Sequence, residues 1–202
     1  MFLLITGIKC AGVSRLVEHD KSICRMMGFR EIEVIDLFDL KKKLSTKKRR
    51  NSTNKYIVEF YDKTRLKIDT NMGLSKLSFK FIEYMLSTYG YNTEKVFIIV
   101  GASEMYNQDI DFWEMVKRPD VSVEVIYGAD SGNMIDICTK RYHEMKNVDE
   151  FDERLKSQIE KYYNDFTNML IRLDSIKLAY NVHTVDSDIL TLDNKINNLG
   201  GF

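Results

Sequence analysis

The first fourteen residues restrict the fold more than any other stretch of this chain. Phe2-Leu3-Leu4-Ile5-Thr6 is nearly all apolar, the pattern of a strand buried on both faces of a parallel sheet. It runs into Gly7-Ile8-Lys9-Cys10-Ala11-Gly12-Val13-Ser14, after which a helical pattern continues from about Val13 to Met27. Gly28 is placed to end that helix. Glycines bounding such a loop permit tight curvature, and successive N–H groups then converge near a helix N-terminus, an arrangement suited to phosphate. Two glycines at this spacing also arise by chance, so the weight lies on the strand before them and the helix after them.

The rest of the chain alternates in the same way. Glu31 to Leu37 reads as a second strand, and a helix starting at Asp39 runs to Leu44 and into a basic stretch. Lys41 to Arg50 holds seven positive charges and no acid, followed by the polar Asn51-Ser52-Thr53-Asn54, a composition of exposed loop or helix end. Leu74 to Tyr89 has a helical period closed by Gly90, and Val96 to Val100 is the strongest strand signal, expected inside the sheet. Val121 to Tyr127 is a further strand, interrupted by charge only at Glu124. Helices are expected from Gly132 to Lys146 and from Asp149 to Leu173, then a last strand Asn181 to Val185 and a last helix Asp188 to Leu199. Strands alternating with helices predict a mostly parallel α/β sheet with right-handed connections.

Bulk properties narrow the classes. A length of 202 residues, with 44% apolar residues, predicts one domain with a real core. Formal net charge is zero, so the chain as a whole has no pull toward nucleic acid or anionic membrane. Cys10, Cys24 and Cys138 lie far apart with no CxxC pair, which reads as reduced thiols. His19, His143 and His183 show no ligand-like spacing, so a transition-metal centre is not expected. The apolar run Met1 to Ile8 is too short for a signal peptide or a membrane span, and the expectation is a soluble intracellular protein without a membrane partner. Virion or nuclear association and homo- or hetero-oligomers are compatible with it. Trp113 reads as a packing anchor, Tyr162-Tyr163 with Phe166 as core or interface, and Met26-Met27 as core at a helix end.

The order of elements resembles the P-loop nucleoside- and nucleotide-kinase group, including viral deoxynucleoside monophosphate kinases. Three patches carry the resemblance: the loop; Val34-Ile35-Asp36-Leu37 with the basic segment after it; and Lys140-Arg141 to Arg154-Leu155. It implies a single three-layer P-loop NTPase-like domain over residues 1–202, with a basic loop or acceptor segment near 40–70 and a lid-like helical segment near 132–160. It further implies ATP or another nucleoside triphosphate with Mg2+, held by Gly7, Lys9, Ala11, Gly12, Val13, Ser14 and Arg15. Ser14 would be the metal ligand. Lys9, Ser14, Asp36, Arg141 and Arg154 would serve catalysis, the arginines clamping the transferring phosphate.

The sequence departs from that pattern twice. Val13 stands where the loop lysine belongs, and the strand Val96 to Val100 ends in Gly101-Ala102-Ser103-Glu104, with only Glu104 near the expected aspartate. Lys9 or Arg15 could substitute for the missing cation, and each also reads as a solvated surface residue. Asp36 could act as a base toward an acceptor, while Asp39 reads equally as a helix cap. Lys47, Lys48, Arg49 and Arg50 could meet an acceptor phosphate or a DNA backbone. Three functions therefore stand: a nucleotide kinase-like phosphotransferase acting on a nucleotide or modified base, a catalytically inactive scaffold on the kinase fold, and a nucleic-acid-binding module.

Overall fold

The computed structural model describes residues 1–8, 11–41, 51, 53–64, 72–91, 94–127, 131–146, 153–183 and 194–195. Strands are β1 (Phe2–Gly7), β2 (Glu31–Asp36), β3 (Lys95–Val100), β4 (Val121–Ile126), β5 (Asn181–His183) and β6 (Asn194–Lys195). Helices are α1 (Val13–Met26), α2 (Lys55–Thr64), α3 (Leu74–Tyr89), α4 (Ser103–Tyr106), α5 (Ile110–Val116), α6 (Ser131–Lys146) and α7 (Glu153–Ser175), with a 3-10 turn at Leu37–Lys41.

The sheet order is β2-β3-β1-β4-β5-β6. The first five strands are parallel, and β6 pairs antiparallel with β5 through Val182↔Lys195 and His183↔Asn194. Every residue of β1 is buried, which explains its unbroken apolar run: it lies between β3 and β4 with helices over it. Leaving β1 the chain travels one way to β2, and leaving β3 it travels the other way past β1 to β4. Crossovers of one hand then put their helices on opposite faces of the sheet.

The side chains bear this out. On one face α1 sets Asp20, Ile23 and Cys24 opposite Leu3 of β1 and Glu124 of β4. On the other, Phe97 stacks on Phe2 at 5.1 Å, meets Tyr56 from α2 edge-to-face at 5.1 Å and lies against a tilted Tyr89 from α3 at 5.4 Å. Phe166 of α7 lies between Tyr106 and Tyr127, and Trp113 is fully buried beside Phe112. The result is the three-layer, mostly parallel α/β architecture of the P-loop NTPase type. Tyr163 and Phe166 are buried core residues, and Trp113 is the anchor its composition suggests.

Local chemistry sets the ends of α1 and α2. At the end of α1, Gly28 has φ +89°; its N–H donates to Arg25 O, and the Phe29 N–H donates to Cys24 O, the paired bonds of a Schellman stop. At the start of α2, Asn54 Oδ1 accepts the Tyr56 N–H at 2.9 Å, so the polar run before it ends in a helix cap.

Four expectations need correction. The helix expected from Asp39 is a 3-10 turn beginning at Leu37, because Asp36 Oδ1 accepts the Phe38 N–H at 2.9 Å and caps the chain two residues earlier. Residues 55–64, read as part of a loop segment, form α2, whose Tyr56, Ile57, Phe60 and Tyr61 are buried at helical spacing. Met26 and Met27 are 78% and 64% exposed, so they are not core. Asn194–Lys195, expected within a helix, is a strand that extends the β5 edge. The remainder of the expected Asp188 to Leu199 helix lies outside the described residues.

Candidate functional site

In an open parallel sheet the ligand crevice lies at the carboxyl ends of adjacent strands whose connections leave in opposite directions. Here those strands are β1 and β3, so the crevice is bounded by the loops that follow Gly7 and Val100.

The loop after β1 is shaped by close approach. A Cβ on Gly7 would lie 3.2 Å from Ile126 Cβ and 3.4 Å from Val13 Cγ2, so strand, neighbouring strand and helix start meet there with little room. Ile8 O accepts the Ala11 N–H at 3.1 Å, closing a tight turn over the buried Ile8 and Ala11. Gly12 then takes φ 106°, ψ 19°, a left-handed conformation open to glycine, and its carbonyl accepts from both Arg15 N–H and Leu16 N–H. No side chain caps α1, and its first turn carries no acid. The leading N–H groups of a helix have no intrahelical acceptor, so Val13 and Ser14 present donors and the positive end of the helix dipole at the crevice. Ser14 and Arg15 are exposed, while the half-buried Val13 turns its methyls toward Gly7. The tight turn takes the Ala11 N–H, so Ala11 supports the curve and offers no donor of its own.

The loop after β3 is closed on itself. Gly101 is buried, its N–H donates to Ile5 O at 3.1 Å, and a Cβ there would lie 2.8 Å from Leu37 Cδ1. Glu104 is buried, and its Oε2 accepts the Ala102 N–H at 2.9 Å. Its backbone oxygen accepts from Gln108 Nε2 at 2.6 Å, and the Gln108 carbonyl accepts from Arg172 Nη1 of α7 at 2.6 Å. The strand-end carboxylate is therefore engaged as a loop brace.

The other expected site residues spread around this end. Asp36 is at the end of β2, two strands from β1, with one oxygen committed to the Phe38 N–H. Lys41, where the basic run begins, is exposed, as is Phe38 at 63%. Arg141 is half-buried on α6 and Arg154 is exposed near the start of α7. Lys9, Cys10, Lys47, Lys48, Arg49 and Arg50 lie outside the described residues. Cys24 and Cys138 are buried and in no disulfide among the described residues, and burial raises the Cys24 pKa. Among the described residues no three His, Cys, Asp or Glu side chains converge to hold a metal ion. Magnesium needs less than that, since it keeps most of its waters and takes one or two protein oxygens besides substrate phosphates. The Ser14 hydroxyl in the first turn of α1 fits such a role. No helix of the described residues is long and apolar enough to cross a membrane.

Two braces escape a reading of the sequence, Glu104 on Ala102 and Asp36 on Phe38, because the N–H each would take is fixed only by the fold. A stronger omission is the buried trio Asp20, Glu124 and His183 on the α1 face. Its one visible signal is the charge that interrupts the apolar strand at Glu124.

No protein-family model matches this chain, and no curated protein matches it. Solved structures similar to it include one from the PezAT chromosomal toxin-antitoxin system of Streptococcus pneumoniae, at 12% identity and TM-score 0.49, covering 96% of this chain and 70% of that one. The YGR205w protein is similar at 13% identity and TM-score 0.49, covering 96% and 89%. A GTPase in apo form from Pyrococcus abyssi, PAB0955, is similar at 14% identity and TM-score 0.33, covering 86% and 77%. Likeness at this level carries no functional weight. The P-loop NTPase-like architecture rests on the strand order and on the loop that follows β1.

Proposed function

We propose that this chain binds a nucleoside triphosphate with magnesium at the Gly7–Ser14 loop and is built as a nucleotide kinase-like phosphotransferase, acting on a nucleotide or a modified base. The observation that carries the reading is the uncapped start of α1 at the switch point of the sheet, with a left-handed Gly12 before it and no carboxylate in its first turn. Backbone donors at Gly12, Val13 and Ser14 would meet phosphate oxygens, and the Ser14 hydroxyl would hold the metal. Lys9 and Arg15 would supply the charge that Val13 lacks. Arg141 and Arg154, on the two lid-like helices, would stabilise the transferring group, and Asp36 with Lys47 to Arg50 would receive the acceptor. Transfer of this kind relies on positioning and electrostatics, so a displaced cation can serve.

One observation favours a second reading, a nucleotide-binding or inactive scaffold on the same fold. The Glu104 carboxylate accepts a backbone N–H and is buried, which removes it from metal or acceptor chemistry. Thermal unfolding with millimolar ATP or GTP and magnesium separates the cases, because a ligand that binds only the folded state raises Tm. The kinase reading expects a rise, together with magnesium-dependent triphosphate turnover that falls in Ser14→Ala and Lys9→Ala. A rise without turnover selects the scaffold. No rise in the parent chain but a clear one in Val13→Lys means a loop that keeps its shape and has lost its chemistry, and no rise in either removes the nucleotide reading. Loss of salt-sensitive DNA binding on neutralising Lys47 to Arg50 would select the nucleic-acid module instead.

A further inference from the structure

A cavity of about 230 Å³ lies between α1 and strands β1, β4 and β5, toward the amino end of β1 and away from the Gly7 loop. It exceeds the ~150 Å³ of an engineered apolar cavity that accepts benzene. Its polar wall is already engaged. Glu124 Oε1 accepts from Ser122 Oγ at 2.7 Å and Asn181 Nδ2 at 2.8 Å, its Oε2 faces His183 Nε2 at 2.8 Å, and Asp20 Oδ1 meets His19 Nδ1 at 3.3 Å. Asp20 Oδ2 and His183 Nδ1 are sealed from solvent and without a partner among the described residues. The surface left facing the space is mostly carbon, from Leu3, Ile23, Met27 and Val182, and Met27 at the rim is 64% exposed. Apolar surface of this kind gains by being covered.

The sheet edge supplies an occupant. β6 runs antiparallel to β5 with Lys195 opposite Val182, so the chain leaving β6 heads toward the amino end of the sheet, where the cavity lies. Through Val182↔Val125 and Val125↔Thr6, Lys195 stands level with Thr6, and three further residues of extended chain come level with Leu3. β5 itself lines the cavity, so the sideways distance is one strand spacing, ~5 Å. In the sequence, residues 196–202 place Ile196, Leu199 and Phe202 three apart, with no charged residue among them and Gly200-Gly201 before Phe202. A stretch of that length reaches at most ~25 Å, well beyond the path required. Two glycines let the backbone turn sharply and approach the strand closely.

We propose that residues 196–202 fold back over β5 and seat the Phe202 ring in this cavity, against Leu3 and Ile23, with Leu199 covering Met27 at the rim. The strap fastens the last turns of α1 to the strands beneath them. It acts at the end of α1 opposite the Gly7 loop, so it stands whether or not that loop binds nucleotide.

The test uses the whole chain. Phe202 ring protons should show nuclear Overhauser contacts with methyl groups of Leu3, Ile23 and Met27. Their absence would overturn the seat. Contacts seen only between differently labelled chains in a mixed sample would also overturn it, in favour of a second copy as the occupant. Cys24 lines the cavity and is 2% exposed, so its labelling by iodoacetamide, followed by peptide mass spectrometry, gives a second readout. Removing residues 196–202 should speed Cys24 labelling about tenfold with Cys138 unchanged, and lower Tm by about 4 °C. Phe202→Ala should give most of both effects, and Asn197→Ala neither. Equal labelling and equal Tm in the truncated and whole chains would overturn the proposal.

Discussion

The loops after β1 and β3 leave adjacent strands at the same end of the sheet, and they dispose of their polar groups in opposite ways. After β3 the backbone is closed by its own side chain, with Glu104 bracing Ala102 and Gln108 tying the turn to Arg172. After β1 the bond that closes the turn among the described residues is Ala11 N–H to Ile8 O, and α1 begins without a side-chain cap. A glycine at the cap position forgoes only about a few tenths of a kcal/mol that Ser, Thr, Asn or Asp would contribute, and at φ 106° those residues would be strained. The contrast teaches where this sequence invests in stability and where it leaves backbone donors facing the crevice.

The sharpest way to break the contrast is Glu104→Ala. It removes the brace and leaves the buried loop short of an acceptor, with an expected loss of about 1–3 kcal/mol in urea unfolding and an unchanged m value. A loss under ~0.5 kcal/mol, the range of ordinary surface changes, would mean the loop does not depend on its carboxylate. Gly12→Ala comes next: at φ 106° a Cβ costs about 1–2 kcal/mol, and any nucleotide-induced rise in Tm should fall with it. A neutral result there would show that the left-handed turn before α1 is dispensable.

Asp20 extends the contrast to a carboxylate left half-partnered. Burial raises its pKa above the ordinary 3.8, so the folded state binds this proton more tightly than the unfolded state does. The group is least costly to the fold below about pH 3.8, and stability falls as pH rises through the raised value. Asp20→Asn should therefore raise Tm at pH 7, with the gain shrinking toward zero as the pH is brought below 3.8. A gain independent of pH would point to packing in place of ionisation. The smallest effect belongs to Ser14→Ala. This exposed position should stay within ~0.5 kcal/mol in stability, while the magnesium-dependent part of any ATP-induced rise in Tm should shrink.

How far the fold can be read from the sequence varies by element. Leu74–Tyr89 is legible at both ends, because its apolar residues keep the helical period and Gly73 and Gly90 flank it. The short helix α2 is obscured because its cap, Asn54, closes a polar run that reads as loop, and charged residues share its ten positions with the buried Tyr56, Ile57, Phe60 and Tyr61. The two methionines after Cys24 look like core by composition, but they fall in the exposed last turn of α1, just before the Schellman stop at Gly28. At the crevice, the Gly7-to-Ser14 shape is local and so is visible in the chain. The pairing of Glu124 with His183 is made across 59 residues, and no local pattern announces it.

The position of β1 has a consequence in time. Its neighbours in the sheet are Lys95–Val100 and Val121–Ile126, so this fully buried strand is made long before either partner. At ~5–20 residues per second, the ribosome needs roughly 5–20 s to reach the first of them. For that interval Phe2-Leu3-Leu4-Ile5 has both faces and both edges unsatisfied, the condition under which nascent chains aggregate. Translation speed and chaperone supply should therefore limit the yield of this protein more than the stability of its finished sheet does.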